Sequence, residues 1–397
     1  MKKHILLLAT SFVFSLSLSS QSVTECISNV KAEHAPDSRT SIYNVKAAET
    51  AGPVVLYGET TEMAAKEALV EAVKKSGKEV EDYITLLPDA KALDGKIYGV
   101  VHVSVADLRY GGSFSAEQAT QLLMGMPLQV LKKDGWSQVR TPEGYIAWIP
   151  SSSFTPMTKE DFNAYISSQK VMFTPDYGWL YSEAKSSSQR VCDLVAGNVM
   201  KQLSVKGKWV KVALADGREG YVEKDKVVDF ASWAKNTRPT QEAILNTAYR
   251  FIGVPYQWAG TSAKMLDCSG FAKTTYLLNG LILARDASQQ CLTGQNIEIT
   301  DIATQYDRLQ PGDLVFWGRK ATPTSRERVT HVGIYVGDGL FIHESGRVKF
   351  DSFNKNHPRY SQYYVNIFVR ATRIIGTEDQ GKGVTSVEKN PLYNIQK

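Results

Sequence analysis

Cysteine is scarce in this chain of 397 residues, and so is charge of one sign. The four cysteines stand at Cys26, Cys192, Cys268 and Cys291, too far apart and too irregular for a disulfide framework or a metal site. Neither a metal nor a cofactor is expected. A formal net charge of +5 is too small to argue for a nucleic-acid partner. Long apolar runs are missing too, except at the start. There Lys2-Lys3 precedes an apolar stretch over residues 5–18, which reads as a signal peptide over residues 1–20. The protein is therefore expected to be exported, to the periplasm or to the cell surface and beyond. Val23-Thr24-Glu25 before Cys26 is a poor lipid-attachment box. No later segment is apolar enough over a sufficient length to act as a transmembrane segment.

The rest of the composition is ordinary for a globular protein, and the length allows two to four domains. Residues 22–58 show no clear pattern. Met63, Leu69, Val70 and Val73 then recur at helical spacing until Gly77, and a short apolar piece over 80–87 stops at Pro88. The reading is a helical N-terminal segment over residues 21–98. From there the pattern changes to short strands punctuated by turns. Residues 99–157 and 158–232 share a Trp-x-x-Val strand (Trp136 to Val139, Trp209 to Val212) and a closing strand led by Gly-Tyr. That is an internal repeat of two small β-barrels, with their Trp and Tyr residues read as core. A linker near Thr237-Arg238-Pro239-Thr240 leads into a third region over residues 233–375. The polar stretch 376–397 reads as a disordered tail.

Chemistry concentrates in Leu266-Asp267-Cys268-Ser269-Gly270-Phe271. Asp267 is a helix cap by type, which puts Cys268 in the first helical turn. Unpaired N–H groups and the helix dipole there favour a thiolate. Downstream, His331 to Val336 alternates strictly, with His331 on the face opposite Val332 and Ile334. Gly337-Asp338-Gly339 reads as a hairpin turn, and Leu340 to Ser345 returns, carrying His343. A three-residue loop with Gly339 left-handed pairs Gly333 with His343 and sets both histidines on one face. A two-residue loop sets them on opposite faces, so the site depends on register.

Asp-Cys-Ser-Gly-Phe, His-Val-Gly-Ile-Tyr and a second histidine twelve residues on resemble the NlpC-type family of papain-like cysteine peptidases. The resemblance covers residues 233–375, including Pro311-Gly312-Asp313-Leu314-Val315-Phe316. It implies an α+β architecture, a papain-like catalytic domain behind two bacterial SH3-type barrels. It also implies a catalytic triad of Cys268, His331 and His343. By the same likeness Tyr256 lines the site and supports the oxyanion, and Asp286 pairs with a substrate ammonium, with Asp267 the other candidate. Arg285 faces a substrate carboxylate or caps its loop, and Ser269 and Ser288 assist. Glu117 and Tyr145 of the first barrel wall off one end of the cleft. The subgroup with two such barrels hydrolyses the bond between γ-D-glutamate and a diamino acid in murein peptides whose L-alanine amine is free. The expected partner is that murein peptide, acted on by a monomer. Against this stand an endopeptidase on intact wall stems, a non-catalytic wall-binding protein, and an acyltransferase on the same fold.

Overall fold

The computed structural model describes residues 22–49 and 51–393. The signal-peptide reading of residues 1–20 lies outside them. The chain divides into two compact units, Met1–Leu87 and Pro88–Lys397.

In the first unit, the helix Val23–His34 opens on Ser22, whose side chain accepts from the Glu25 N–H while Glu25 reaches back to the Ser22 N–H. Its buried stripe is Val23, Cys26 and Val30. The expectation of a helical segment needs correction here. The strands Tyr43–Ala48, Val54–Thr60 and Val80–Leu86 form a three-stranded sheet, and the last two are parallel, joined by the helix Met63–Lys75. The third strand escaped the sequence because Ile84 alone on it is buried, too little for an alternating signal.

The second unit begins with two seven-stranded sheets. The first contains Tyr98–Val101, Val105–Arg109, Gln118–Leu123, Pro127–Asp134, Trp136–Arg140, Ile146–Ile149 and Phe154–Met157. Number these one to seven, and the spatial order is 7-1-4-5-6-2-3. The second contains Lys170–Phe173, Tyr177–Tyr181, Arg190–Val195, Val199–Lys206, Trp209–Ala213, Glu219–Glu223 and Val227–Asp229, in the same spatial order. The repeat glimpsed in the Trp-x-x-Val strands is thus a repeat of topology. In both, the fifth strand pairs with the fourth and the sixth.

The third region sets the helices Gln241–Arg250 and Cys268–Leu277 against a six-stranded antiparallel sheet. The strand order is Gln295–Ile297, Phe368–Arg373, Leu314–Arg319, Arg328–Gly337, Leu340–Glu344 and Val348–Ser352. Val332, Ile334 and Ile342 on one face share a core with Phe271 and Ala272 of the second helix. Trp317, Tyr335 and Phe341 on the other face pack with Phe353, Tyr364 and Phe368.

The tail also departs from expectation. Thr385–Ser386 pairs with Leu281–Ile282, and Val384, Val387 and Tyr393 are buried. Tyr393 packs against Phe230 at 6.0 Å between ring centroids, and Asn390 donates to the Pro142 carbonyl at 2.8 Å. Single apolar residues scattered in polar sequence have no period, yet each fills a slot prepared by the rest of the fold.

Candidate active site

Asp267 organises the start of the Cys268–Leu277 helix. Its Oδ1 accepts from the Gly270 N–H at 2.6 Å, and its Oδ2 accepts from the Ala259 N–H at 2.9 Å. The second bond holds Ala259 at a positive φ of 64°, a conformation that a residue with a Cβ resists. Gly270 is required because a Cβ there would lie 1.9 Å from the Gly260 carbonyl oxygen. Helix and preceding loop are thus clamped together at the sulfur.

Cys268 is buried. Burial, with the Asp267 charge adding, pushes its thiol up to about 12, although N–H groups of Val332 and Ser269 and the Arg285 charge pull the other way. This corrects the expected resting thiolate. A helix start favours the anion, but removing the sulfur from water outweighs it. In the ligand-free enzyme the group is a thiol.

The two histidines meet, by a route other than the one expected. Gly333 pairs with His343, and Ile334 with Ile342, but Gly337 rather than Val336 pairs with Leu340. The loop is the two-residue Asp338-Gly339, both at positive φ (48° and 76°), as a type I′ turn requires. A bulge at Val336 absorbs one residue and returns the register to the one that aligns the histidines.

His331 Nε2 lies 2.8 Å from His343 Nδ1, and His343 Nε2 lies 2.9 Å from Asp351 Oδ2. For Asp351, burial works upward, but the hydrogen bond and charge of His343, with those of Lys349, outweigh it and keep the carboxyl below its ordinary value. An ionised Asp351 accepts only, so His343 Nε2–H donates and His343 Nδ1 is the acceptor. His331 Nε2–H therefore donates to it, leaving the lone pair of His331 on Nδ1. Burial, followed by the His343 and Lys349 charges, holds His331 down to about 3, so it is a neutral base. Burial likewise lowers His343. Trp317 (5.3 Å between ring centroids) and the stacked Tyr364 (5.9 Å) confine the His331 ring. Neither Asp351 nor this aromatic packing was anticipated. The signal for Asp351 was its place two residues beyond Lys349, which pairs with His343.

The remaining candidates divide. Tyr256 is partly exposed, and burial first, then the Cys268 charge, raises its hydroxyl. Arg285 is buried and does not face a substrate carboxylate: it pairs with Asp267 Oδ2 at 2.6 Å and donates to Ser269 Oγ at 2.9 Å. Ser269 is buried in that cluster, donating to Asp267 Oδ1 at 3.2 Å. Both serve to fix Asp267. Ser288 lies in the short helix Ala287–Gln290, and its carbonyl accepts from the Cys291 thiol. The Tyr145 hydroxyl donates to Asp286 Oδ2 at 3.2 Å and lies 2.9 Å from the Tyr110 hydroxyl. The Tyr145 ring is buried in the barrel, so it is core whose hydroxyl reaches Asp286. Glu117 is exposed, and its carbonyl accepts from the Tyr110 N–H. Tyr110 was missed, since one more exposed tyrosine carries no pattern.

A cysteine at the head of a helix, packed on an antiparallel sheet that aligns two histidines, defines a papain-like cysteine peptidase. Residues 253–370 match the NlpC/P60 family, and residues 108–154 match the bacterial dipeptidyl-peptidase SH3 domain. The protein thus carries a cysteine peptidase domain of the NlpC/P60 family behind a bacterial dipeptidyl-peptidase SH3 domain. It is 29% identical over 274 residues to dipeptidyl-peptidase 6 of Lysinibacillus sphaericus, covering 66% of this chain and 94% of that one. It is 30% identical over 233 residues to the gamma-D-glutamyl-L-lysine dipeptidyl-peptidase of Bacillus cereus, covering 56% and 66%. An NlpC/P60 family crystal structure from Bacillus cereus superposes with a TM-score of 0.59 at 23% identity, over 70% of this chain and 99% of that one, a likeness of fold.

Proposed function

We propose that the protein hydrolyses the γ-D-glutamyl–diamino acid bond of murein peptides with a free N-terminal L-alanine, releasing L-Ala-D-Glu. The observation that carries this reading is the relay Asp351–His343–His331, which leaves a lone pair on His331 Nδ1, one residue before Val332, whose N–H reaches the Cys268 thiol. The activities named for the two relatives support the substrate class.

Cys268 and His331 both rest uncharged, so proton transfer accompanies attack. The Cys268 proton passes to His331 Nδ1 as the sulfur bonds to the γ-carbonyl carbon. The positive charge on His331 is shared with His343 and Asp351 through their hydrogen bonds. The carbonyl oxygen takes the negative charge beside the helix N-terminus and the Tyr256 hydroxyl. His331 then protonates the leaving amine as the C–N bond breaks. Water, deprotonated by His331, hydrolyses the thioester and regenerates the thiol. Asp286, held by Tyr145, takes the ammonium of the terminal alanine, and Glu117 lies on the barrel hairpin of Tyr110, whose hydroxyl meets that of Tyr145. The barrels (residues 99–157 and 158–232) present the substrate to the peptidase (residues 233–375). The protein acts as a monomer outside the cytoplasm, reached through the segment 1–20.

Mass spectrometry of products from L-Ala-γ-D-Glu-diaminopimelate and its N-acetylated form tests the reading. Cleavage of the first alone is expected. Equal rates on both give an endopeptidase of intact stems, and no cleavage of either removes the peptidase reading. Asp286→Asn should raise KM for the free-amine peptide by about 10- to 100-fold, the loss of one charge-assisted contact.

A further inference from the structure

Glu344 ends the strand Leu340–Glu344, directly after His343, and its side chain is completely buried. Neither carboxylate oxygen has a hydrogen-bond partner. Strand alternation puts it on the face of Ile342, towards the Cys268–Leu277 helix, while His343 points to the other face. Asp267 at the helix start and Tyr256 on the loop before it interact with it, and the charge of Lys349, which points to the His343 face of the neighbouring strand, also reaches it. The contrast with Asp267 is sharp. Asp267 is held by Arg285, Ser269 and two backbone N–H groups, whereas Glu344, beside it, has nothing.

A buried carboxylate without donors is unstable as an anion. Burial first, and the Asp267 charge second, push Glu344 up to about 8 against the pull of Lys349. At neutral pH it is largely an uncharged acid.

We propose that uncharged Glu344 is a positioning residue that acts through Tyr256 and Asp267, and that its ionisation disables the catalytic centre at alkaline pH. An anionic Glu344 repels the Asp267 carboxylate that caps the Cys268 helix. It also draws the Tyr256 O–H away from the oxyanion. The inference rests on Cys268 and His331 being the reacting pair.

The test is the pH profile of kcat/KM on the free-amine peptide for the wild type, Glu344→Gln and Tyr256→Phe/Glu344→Gln, beside the rate of Cys268 alkylation by iodoacetamide. Between about pH 6.5 and pH 9 the wild-type kcat/KM should fall about tenfold, the loss expected one unit above the controlling pKa. In Glu344→Gln it should stay within about twofold over that interval, as an amide does not ionise. The double variant should show no alkaline fall beyond that of Tyr256→Phe alone. A fall that persists in Glu344→Gln belongs to the substrate's own ammonium and overturns the proposal. The alkylation profile needs no peptide: a wild-type inflection near pH 8 that is absent in the variant supports the role even if no peptide is cleaved, and identical profiles refute it. Should Glu344→Gln fail to fold, wild-type thermal unfolding decides. Glu344 is protonated in the fold up to about 8 but ionises at 4.5 when unfolded; above pH 6.5, where the buried histidines are uncharged folded or unfolded, stability must therefore decline as pH rises to about 8. A flat or rising stability refutes the buried acid.

Discussion

At the scale of single residues, burial decides charge. The helix start, the family motif and the neighbouring imidazole all argue for an anionic sulfur, yet enclosure holds Cys268 as a thiol and His331 as a neutral base. Protonating His331 removes the base, so activity falls only as pH approaches its depressed value of about 3 rather than the ordinary 6.5. The acid limb of kcat/KM should therefore lie well below pH 6.5, and a limb centred there would contradict the enclosed imidazole. Asp351 fixes which nitrogen of each histidine carries a proton. Asp351→Asn permits the wrong tautomer and should lower kcat by roughly 100-fold or more with the fold intact, read by single-turnover kinetics and circular dichroism.

At the scale of elements, one residue of register separates a working site from an inert sheet. Sequence periodicity correctly located both histidine strands, because alternation and the Gly-Asp-Gly turn are local signals. It did not reveal the bulge at Val336, because a bulge is a property of two strands in contact. Inserting one alanine after Phe341 should leave the Asp338-Gly339 turn in place and slip the pairing by one residue, setting His343 opposite Val332 and so on the opposite face. Peptide hydrolysis should then drop by about 1,000-fold or more, with strand content by circular dichroism largely retained. The clamp at the nucleophile helix is likewise tertiary: what excludes a Cβ at Gly270 is the Gly260 carbonyl, a neighbour that no local pattern reveals.

At the scale of the second unit, the first barrel and the peptidase share a core and are tied by specific polar contacts. Lys273 on the nucleophile helix pairs with Glu143 of the barrel at 2.9 Å, with both side chains buried. Gln121 accepts from the Thr261 N–H at 2.8 Å, and Gln257 donates to Gln118 at 3.0 Å. Lys273→Ala strands a buried carboxylate and should destabilise the protein by about 3–5 kcal/mol, measured from the urea midpoint. Replacing both partners with methionine should recover most of that loss. The barrel is therefore packed onto the peptidase as one body, joined also by the Tyr145–Asp286 contact.

The sequence by itself determined the elements whose evidence is local: the capped helix with Cys268 in its first turn, the alternating strands of His331 and His343, and the repeated barrels. Only the tertiary structure decided what depends on distant partners. It turned Arg285 inward to Asp267, brought Asp351 under His343, made the third strand of the first unit, and seated Val387 and Tyr393 in the core. The physical reason is common to all four. Periodicity and capping report the chain's own geometry, whereas burial, ion pairing and bulged register arise when segments far apart in sequence exclude water together.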